Sequence, residues 1–276
     1  MRALLLCMVL FVAASVSVHA APETEIDLEL VLAVDISFSM DPDEQILQRN
    51  GYAAAFRHPD VIAAITAGAY GKIAVTYVEW AGVTTKRVIV PWMIVDGPDA
   101  AEAMARAIEA SPPKRAFRTS ISNALVFSAM QFDDNSFAGM RRVIDVSGDG
   151  TNNQGMPVAA TRDGVVGQGV TINGLPILIK RPGSANGYFD IENLDDYYRD
   201  CVIGGFGAFL IPVRSRDEFA VAIRRKLVQE IAGTYPDIRD ARLLPAAMRL
   251  AQQDTGVDCL IGEKVWQRWM EREGAY

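Results

Sequence analysis

The run Leu28-Glu29-Leu30-Val31-Leu32-Ala33-Val34 constrains this chain most. An aliphatic stretch this short and this continuous reads as a strand buried on both faces, and such a strand belongs in the middle of a parallel sheet. It ends at Asp35. After Ser37-Phe38-Ser39-Met40, Asp41 can cap a helix that has Pro42 at its first position and Asp43 and Glu44 in its first turn. A strand therefore feeds a loop, and the loop feeds a helix running to about Arg57.

The same alternation continues. Lys72 to Trp80 and Lys86 to Val95 read as two strands joined by the short loop Ala81-Gly82-Val83-Thr84-Thr85, and Pro91 assigns the second to an edge. Asp99 to Ala110 and Ser120 to Phe132 read as helices. Arg141 to Val146 is another buried strand, ending in Ser147-Gly148-Asp149-Gly150. Pro157 to Gln168 is a helix, Val170 to Lys180 a strand, and Ala208 to Val213 a last strand. Ser215-Arg216-Asp217-Glu218 has the form of a capping box, followed by Phe219, Ile223, Leu227 and Ile231 at four-residue spacing and Gly233 as the stop. The expected fold is α/β: a doubly wound, mostly parallel six-stranded sheet with one antiparallel edge strand and helices on both faces. Ligands in such sheets sit at the carboxyl ends of the strands. Residues 234–276 read as a helical tail packed on a 21–233 domain, with Trp266 and Trp269 as apolar anchors.

Arg2, the apolar stretch Ala3 to Val18 and the small-residue end Val18-His19-Ala20 have the form of a signal peptide over residues 1–20, so the chain is expected to be exported, to a periplasm or outside the cell. Lys and Arg number 27 against 34 Asp and Glu, a net charge of −7. An acidic chain without a basic stripe is a poor ligand for nucleic acid or anionic membrane. Cys201 and Cys259 remain after the leader. In an exported protein an even count suggests a disulfide, here pinning the tail to the sheet, with two buried thiols as the alternative. His58 is the one histidine past the leader, which leaves Ser-His or Cys-His hydrolases and most zinc sites short of imidazole; before Pro59 it reads as a surface or cap residue.

Three polar clusters fall at strand ends or helix starts: Asp35-Ile36-Ser37-Phe38-Ser39, then Thr119, then Asp149-Gly150. Two carboxylates and three hydroxyls form an all-oxygen donor set, which suits Mg²⁺ or Mn²⁺ with waters completing an octahedron.

In these residues the chain resembles the von Willebrand factor A family, whose metal-ion-dependent adhesion site combines Asp-x-Ser-x-Ser, a distant Thr, and an Asp followed by Gly. Val34-Asp35-Ile36-Ser37-Phe38-Ser39-Met40 matches the first part, Arg118-Thr119-Ser120-Ile121-Ser122-Asn123-Ala124-Leu125 resembles the threonine segment, and Ile144-Asp145-Val146-Ser147-Gly148-Asp149-Gly150 resembles the last. Where the family usually has Gly, this chain has Arg118. The likeness spans residues from about 26 to 233 and is greatest to exported bacterial proteins in which a segment like Asp195-Asp196-Tyr197-Tyr198 precedes the last strand. The resemblance implies a non-enzymatic binding module with Asp35, Ser37, Ser39, Thr119 and Asp149 around one Mg²⁺ or Mn²⁺. The partner is then an unidentified protein that offers an Asp or Glu carboxylate to the cation.

A rival class shares some of these residues. Asp35 after a first strand and Gly148-Asp149-Gly150-Thr151-Asn152-Asn153 also resemble haloacid-dehalogenase phosphotransferases, which would make the protein a Mg²⁺-dependent phosphohydrolase with Asp35 as nucleophile. The acid usually found two residues after that nucleophile is Ser37 here, and the metal loop ends in Asn153 instead of Asp.

Overall fold

The computed structural model describes residues 23–133, 135–179, 191–233 and 256–273. The expected leader and the first half of the tail lie outside them. β1 (Thr24–Ile26) is followed by β2 (Leu28–Asp35), in which every residue is buried. Leu28, Leu30, Leu32 and Val34 point into one apolar core and Val31 and Ala33 into another, so the strand has no wet face. β3 (Ile73–Trp80), β4 (Lys86–Val95), β5 (Phe137–Gly139), β6 (Arg142–Gly148) and β7 (Val170–Pro176) complete the strands.

The main sheet has the order β4-β3-β2-β6-β7, parallel except for the β3–β4 pair, while β1 and β5 pair in parallel by themselves. Pro91 falls where the β3–β4 register slips by one residue, and β4 is the edge strand, as its missing amide requires. The Thr76 hydroxyl spans the irregularity with a 2.8 Å hydrogen bond to the Val90 carbonyl.

Helices cover both faces. On one lie α1 (Pro42–Arg57), α2 (Pro59–Thr66) and α3 (Pro98–Ala110), with α7 (Phe219–Ala232) beside α1 and α2. On the other lie α4 (Ile121–Ala129), α5 (Val158–Val166) and α6 (Leu194–Tyr197), the last running into a π-helical turn, Tyr198–Val202. Asp41 caps α1 in a reciprocal box with Glu44, and the His58 ring accepts from the Asp60 amide at the start of α2, its expected cap role.

Two expectations fail. The sheet has five strands, because Ala208–Val213 makes only isolated bridges to β7. Gly174 N donates to Phe209 O, Ile211 N to Gly174 O, Val213 N to Pro176 O and Leu178 N to Val213 O. The bond missing from that parallel series is the one Pro176 would donate, so the sixth strand is broken by a proline on its neighbour. The Ser215 capping box does not form either: Ser215 makes no side-chain cap, a 3₁₀ turn spans Arg216–Glu218, and Glu218 accepts from the Arg214 amide instead. Gly233 does end α7, at a left-handed φ of 58°.

Candidate metal centre

Asp35 is the last residue of β2 and Asp149 follows the last residue of β6, so two neighbouring parallel strands deliver a carboxylate each to the same end of the sheet. The Ser37 amide donates to Asp35 Oδ1 at 2.6 Å, which turns the chain back over the strand end. The Ser37 and Ser39 hydroxyls are 2.7 Å apart, and Ser39 Oγ donates to Asp149 Oδ1 at 2.6 Å. Thr119 joins from the α4 side: a Cβ built on Gly150 would lie 3.8 Å from Thr119 Oγ1 and 3.9 Å from Ser39 Oγ. All five residues singled out in the sequence therefore fall in one cluster. Asp35, Ser37, Thr119 and Asp149 are buried, and Ser39 is half-buried.

Backbone bonds sew the loops together. Thr119 N donates to Asn153 Oδ1 at 3.0 Å and Asn153 N returns a bond to Thr119 O at 2.9 Å. Ser120 N donates to Ala81 O, and Ser120 Oγ caps α4 while bonding Gln154 O at 2.8 Å. Arg118 sits at φ 74°, the left-handed region that a glycine enters without steric cost. The family's usual Gly at this position thus has a conformational reason, which Arg118 overrides.

Several residues of the site escaped sequence reasoning. The Tyr197 hydroxyl accepts from the Asn152 amide at 3.1 Å. Tyr198 is wholly buried, its phenol pushed well above the usual tyrosine range by burial and then by the Asp35 and Asp149 carboxylates. A Cβ on Gly148 would come within 2.8 Å of Asp35 Oδ2 and 2.9 Å of Tyr198 Oη, so only glycine leaves room for both. From below, Gln48 of α1 donates to Ser147 Oγ at 2.6 Å. The Tyr-Tyr pair was the one visible signal among these.

The final helix α8 (Ile261–Glu273) reaches the same place. Cys201 and Cys259 are disulfide-bonded with their Cα atoms 5.5 Å apart, which ties the start of α8 to the turn carrying Tyr198. Asn152 Nδ2 donates to Glu263 Oε1 at 2.7 Å, and Gly262 lies so close to the Asn152 carbonyl that a Cβ would meet it at 2.1 Å. Trp266 lies under Arg118, its ring centroid 3.0 Å from the guanidinium carbon. A cavity of about 370 Å³ opens between α8 and the Ser37, Ser39 and Thr119 hydroxyls.

Among the described residues no group of three or more His, Cys, Asp or Glu side chains is placed to hold a metal. A cation at this cluster would depend on hydroxyls and water as much as on Asp35 and Asp149, which is the donor chemistry of a hard divalent ion. No described helix is long and apolar enough to cross a membrane.

Residues 25–235 match the family model described as "Protein of unknown function (DUF1194)". No curated protein matches the chain. Among solved structures it is similar to proximal thread matrix protein 1 from the mussel byssus, at 13% identity and a TM-score of 0.56, over 77% of this chain and 50% of that one. A further structure of that mussel protein is described as having a zinc-occupied metal-ion-dependent adhesion site motif, and aligns at 14% identity with a TM-score of 0.53 over the same shares of each chain. An aerotolerance-related membrane protein from Bacteroides fragilis aligns at 20% identity and a TM-score of 0.51, over 75% of this chain and all of that one. A von Willebrand factor type A protein from Catenulispora acidiphila aligns at 14% identity and a TM-score of 0.50, over 75% and 43%. The chain spans about half the length of the mussel protein. At these identities the likeness is one of fold, and the fold is that of a von Willebrand A domain.

Proposed function

This chain belongs to the DUF1194 family, and we propose that it is a metal-dependent binding module that holds an acidic group of a protein partner through a divalent cation. Asp35, Ser37, Ser39, Thr119 and Asp149 carry the cation, with the hydroxyls as direct ligands and at least one Asp acting through water. The observation that supports this most is the run of linked oxygens Ser37–Ser39–Asp149, with Asp35 held to the same turn by the Ser37 amide and Thr119 across Gly150, beside an open cavity. Mg²⁺ or Mn²⁺ suits so oxygen-rich a set; the zinc described for the mussel protein's motif is in keeping with a divalent ion at this kind of site. With two protein carboxylates and neutral hydroxyls, the cation retains an exchangeable water and attracts an incoming anionic oxygen. A partner's Asp or Glu supplies that oxygen.

Export is part of the same proposal. The leader-like segment 1–20 and the Cys201–Cys259 bond both fit an oxidising compartment. The reading is non-enzymatic: Ser37 stands where a phosphotransferase would need its acid, and Asn153 is engaged with the Thr119 backbone.

Calorimetric titration of Mg²⁺ and Mn²⁺ into the wild type and into Asp149→Ala tests the site. Binding by the wild type and its loss in the variant is the expected result; equal binding by both refutes the assignment. Capture of partners in Mg²⁺, against the same capture in chelator, tests the function. Release of phosphate from a phosphoester panel that disappears in Asp35→Asn would instead favour the enzyme.

A further inference from the structure

The cavity beside the hydroxyls has a second wall that the five site residues do not explain. It is aromatic: Trp266 and Trp269 of α8 stand 4.8 Å apart on one side, and Phe38 and Phe117 stack at 4.3 Å on the other. Phe117 is 75% exposed and Phe38 43%, so this pair is held at the surface instead of being spent in the core. At about 370 Å³ the space falls within the range of ligand pockets and accepts one large apolar side chain.

Charge decides what kind of molecule brings that side chain. The protein carries a net charge of −7, yet among the described residues no carboxylate lines this cavity and the one charged lining group is Arg118. Arg118 has no carboxylate partner among the described residues, and one guanidinium face rests on Trp266. Arg115, over the Phe38 ring at 4.6 Å, adds a second cation at the rim. The wall is also fixed before any ligand arrives, by the Cys201–Cys259 bond, the Asn152–Glu263 hydrogen bond and the close approach of Gly262 to Asn152. Preorganisation of this kind lowers the cost of binding.

We propose that α8 turns the metal site into a two-part receptor for an acidic peptide segment of another protein, in which one carboxylate binds the cation and an adjoining aromatic or large aliphatic side chain fills the cavity between Phe38–Phe117 and Trp266–Trp269. Arg118 pairs with a further acidic group of the same segment. The inference rests on the cation reading above and adds its specificity.

A random-peptide library displayed on phage, panned on the full mature chain in Mg²⁺ and eluted with chelator, tests it. The expected eluate is enriched in Asp or Glu next to Phe, Trp, Leu or Ile. A selected peptide should then bind about tenfold more weakly to Trp269→Ala and to Phe117→Ser, while calorimetric Mg²⁺ affinity stays the same in both. Phe117 is exposed and lies outside α8, so its variant reports on the cavity even if the helix is disturbed in the other. Eluted peptides that share an acid without an apolar neighbour overturn the two-part receptor and leave the cation reading intact. Mg²⁺ binding without any chelator-eluted peptide overturns it as well, as does unchanged affinity in both variants. Absence of Mg²⁺ binding in calorimetry is the separate result that refutes the cation reading itself.

Discussion

At the scale of single residues, the site depends on a missing side chain as much as on those present. Gly148 closes β6 with Asp35 Oδ2 and Tyr198 Oη both inside the volume a methyl group would take. Gly148→Ala therefore pushes Asp35 away from the cluster, and Mg²⁺ affinity should fall by about tenfold or more, with an overpacking cost to stability of about 1–3 kcal/mol. Calorimetry and urea melts on the one variant measure both, and an unchanged Mg²⁺ affinity would show that Asp35 does not need its present position. Asp35, Ser37, Ser39 and Asp149 are legible because Asp-x-Ser-x-Ser and Asp-Gly are local patterns at strand ends that hydropathy finds, whereas Thr119 is a single residue at a helix start that the resemblance to the von Willebrand A family picks out. The Tyr-Tyr pair is visible in the sequence, but the roles of Tyr198, Asn152 and Gly148 are not: each comes only from what a distant part of the chain places beside it.

Elements follow the same division between local and distant causes. The buried strands, the Pro91 edge and the capped start of α1 were readable because each is decided by residues within one stretch of chain. The sixth strand failed because Pro176, on the neighbouring strand, withholds one amide, and no pattern within Ala208–Val213 records that. The sequence marks Trp266 and Trp269 as anchors, but that α8 anchors at the candidate metal centre follows only from contacts spanning more than a hundred residues. The disulfide, closing a separation of 58 residues, stabilises that arrangement by about 4 kcal/mol in the chain-entropy model. Cys201→Ser with Cys259→Ser should make α8 the first segment cut in limited proteolysis and move tryptophan emission to longer wavelength as Trp266 and Trp269 meet water. Unaltered proteolysis and emission would mean that Glu263 and Gly262 hold the helix without the covalent tie.

For the whole molecule, a buried polar knot joins the central sheet to the helix layer on one face. Lys226 of α7 lies 2.6 Å from Asp145 Oδ1 of β6 and is also bonded to Glu230, while Asn173 of β7 donates to Glu230 Oε1 at 2.9 Å. Two buried carboxylates thus share one buried ammonium. Burial and then the Asp145 charge push the Glu230 carboxyl up to about 7, against the smaller opposing pull of Lys226 and Asn173. A folded-state value above the unfolded one means that the folded protein keeps a proton which the unfolded chain has released. The resulting contribution is fully present below about pH 4.5, declines as pH rises, and is lost above about 7. Gln at this position accepts the same hydrogen bonds and has no proton to lose. Relative to Glu230→Gln, the wild type should therefore lose up to about 3 kcal/mol of stability between pH 4.5 and 7, with little further change above that. Urea melts of both proteins at pH 5 and pH 8 measure the difference directly, and a gap that stays constant, or that favours the wild type more at pH 8, would show that Asp145 and Glu230 are both ionised in the folded knot.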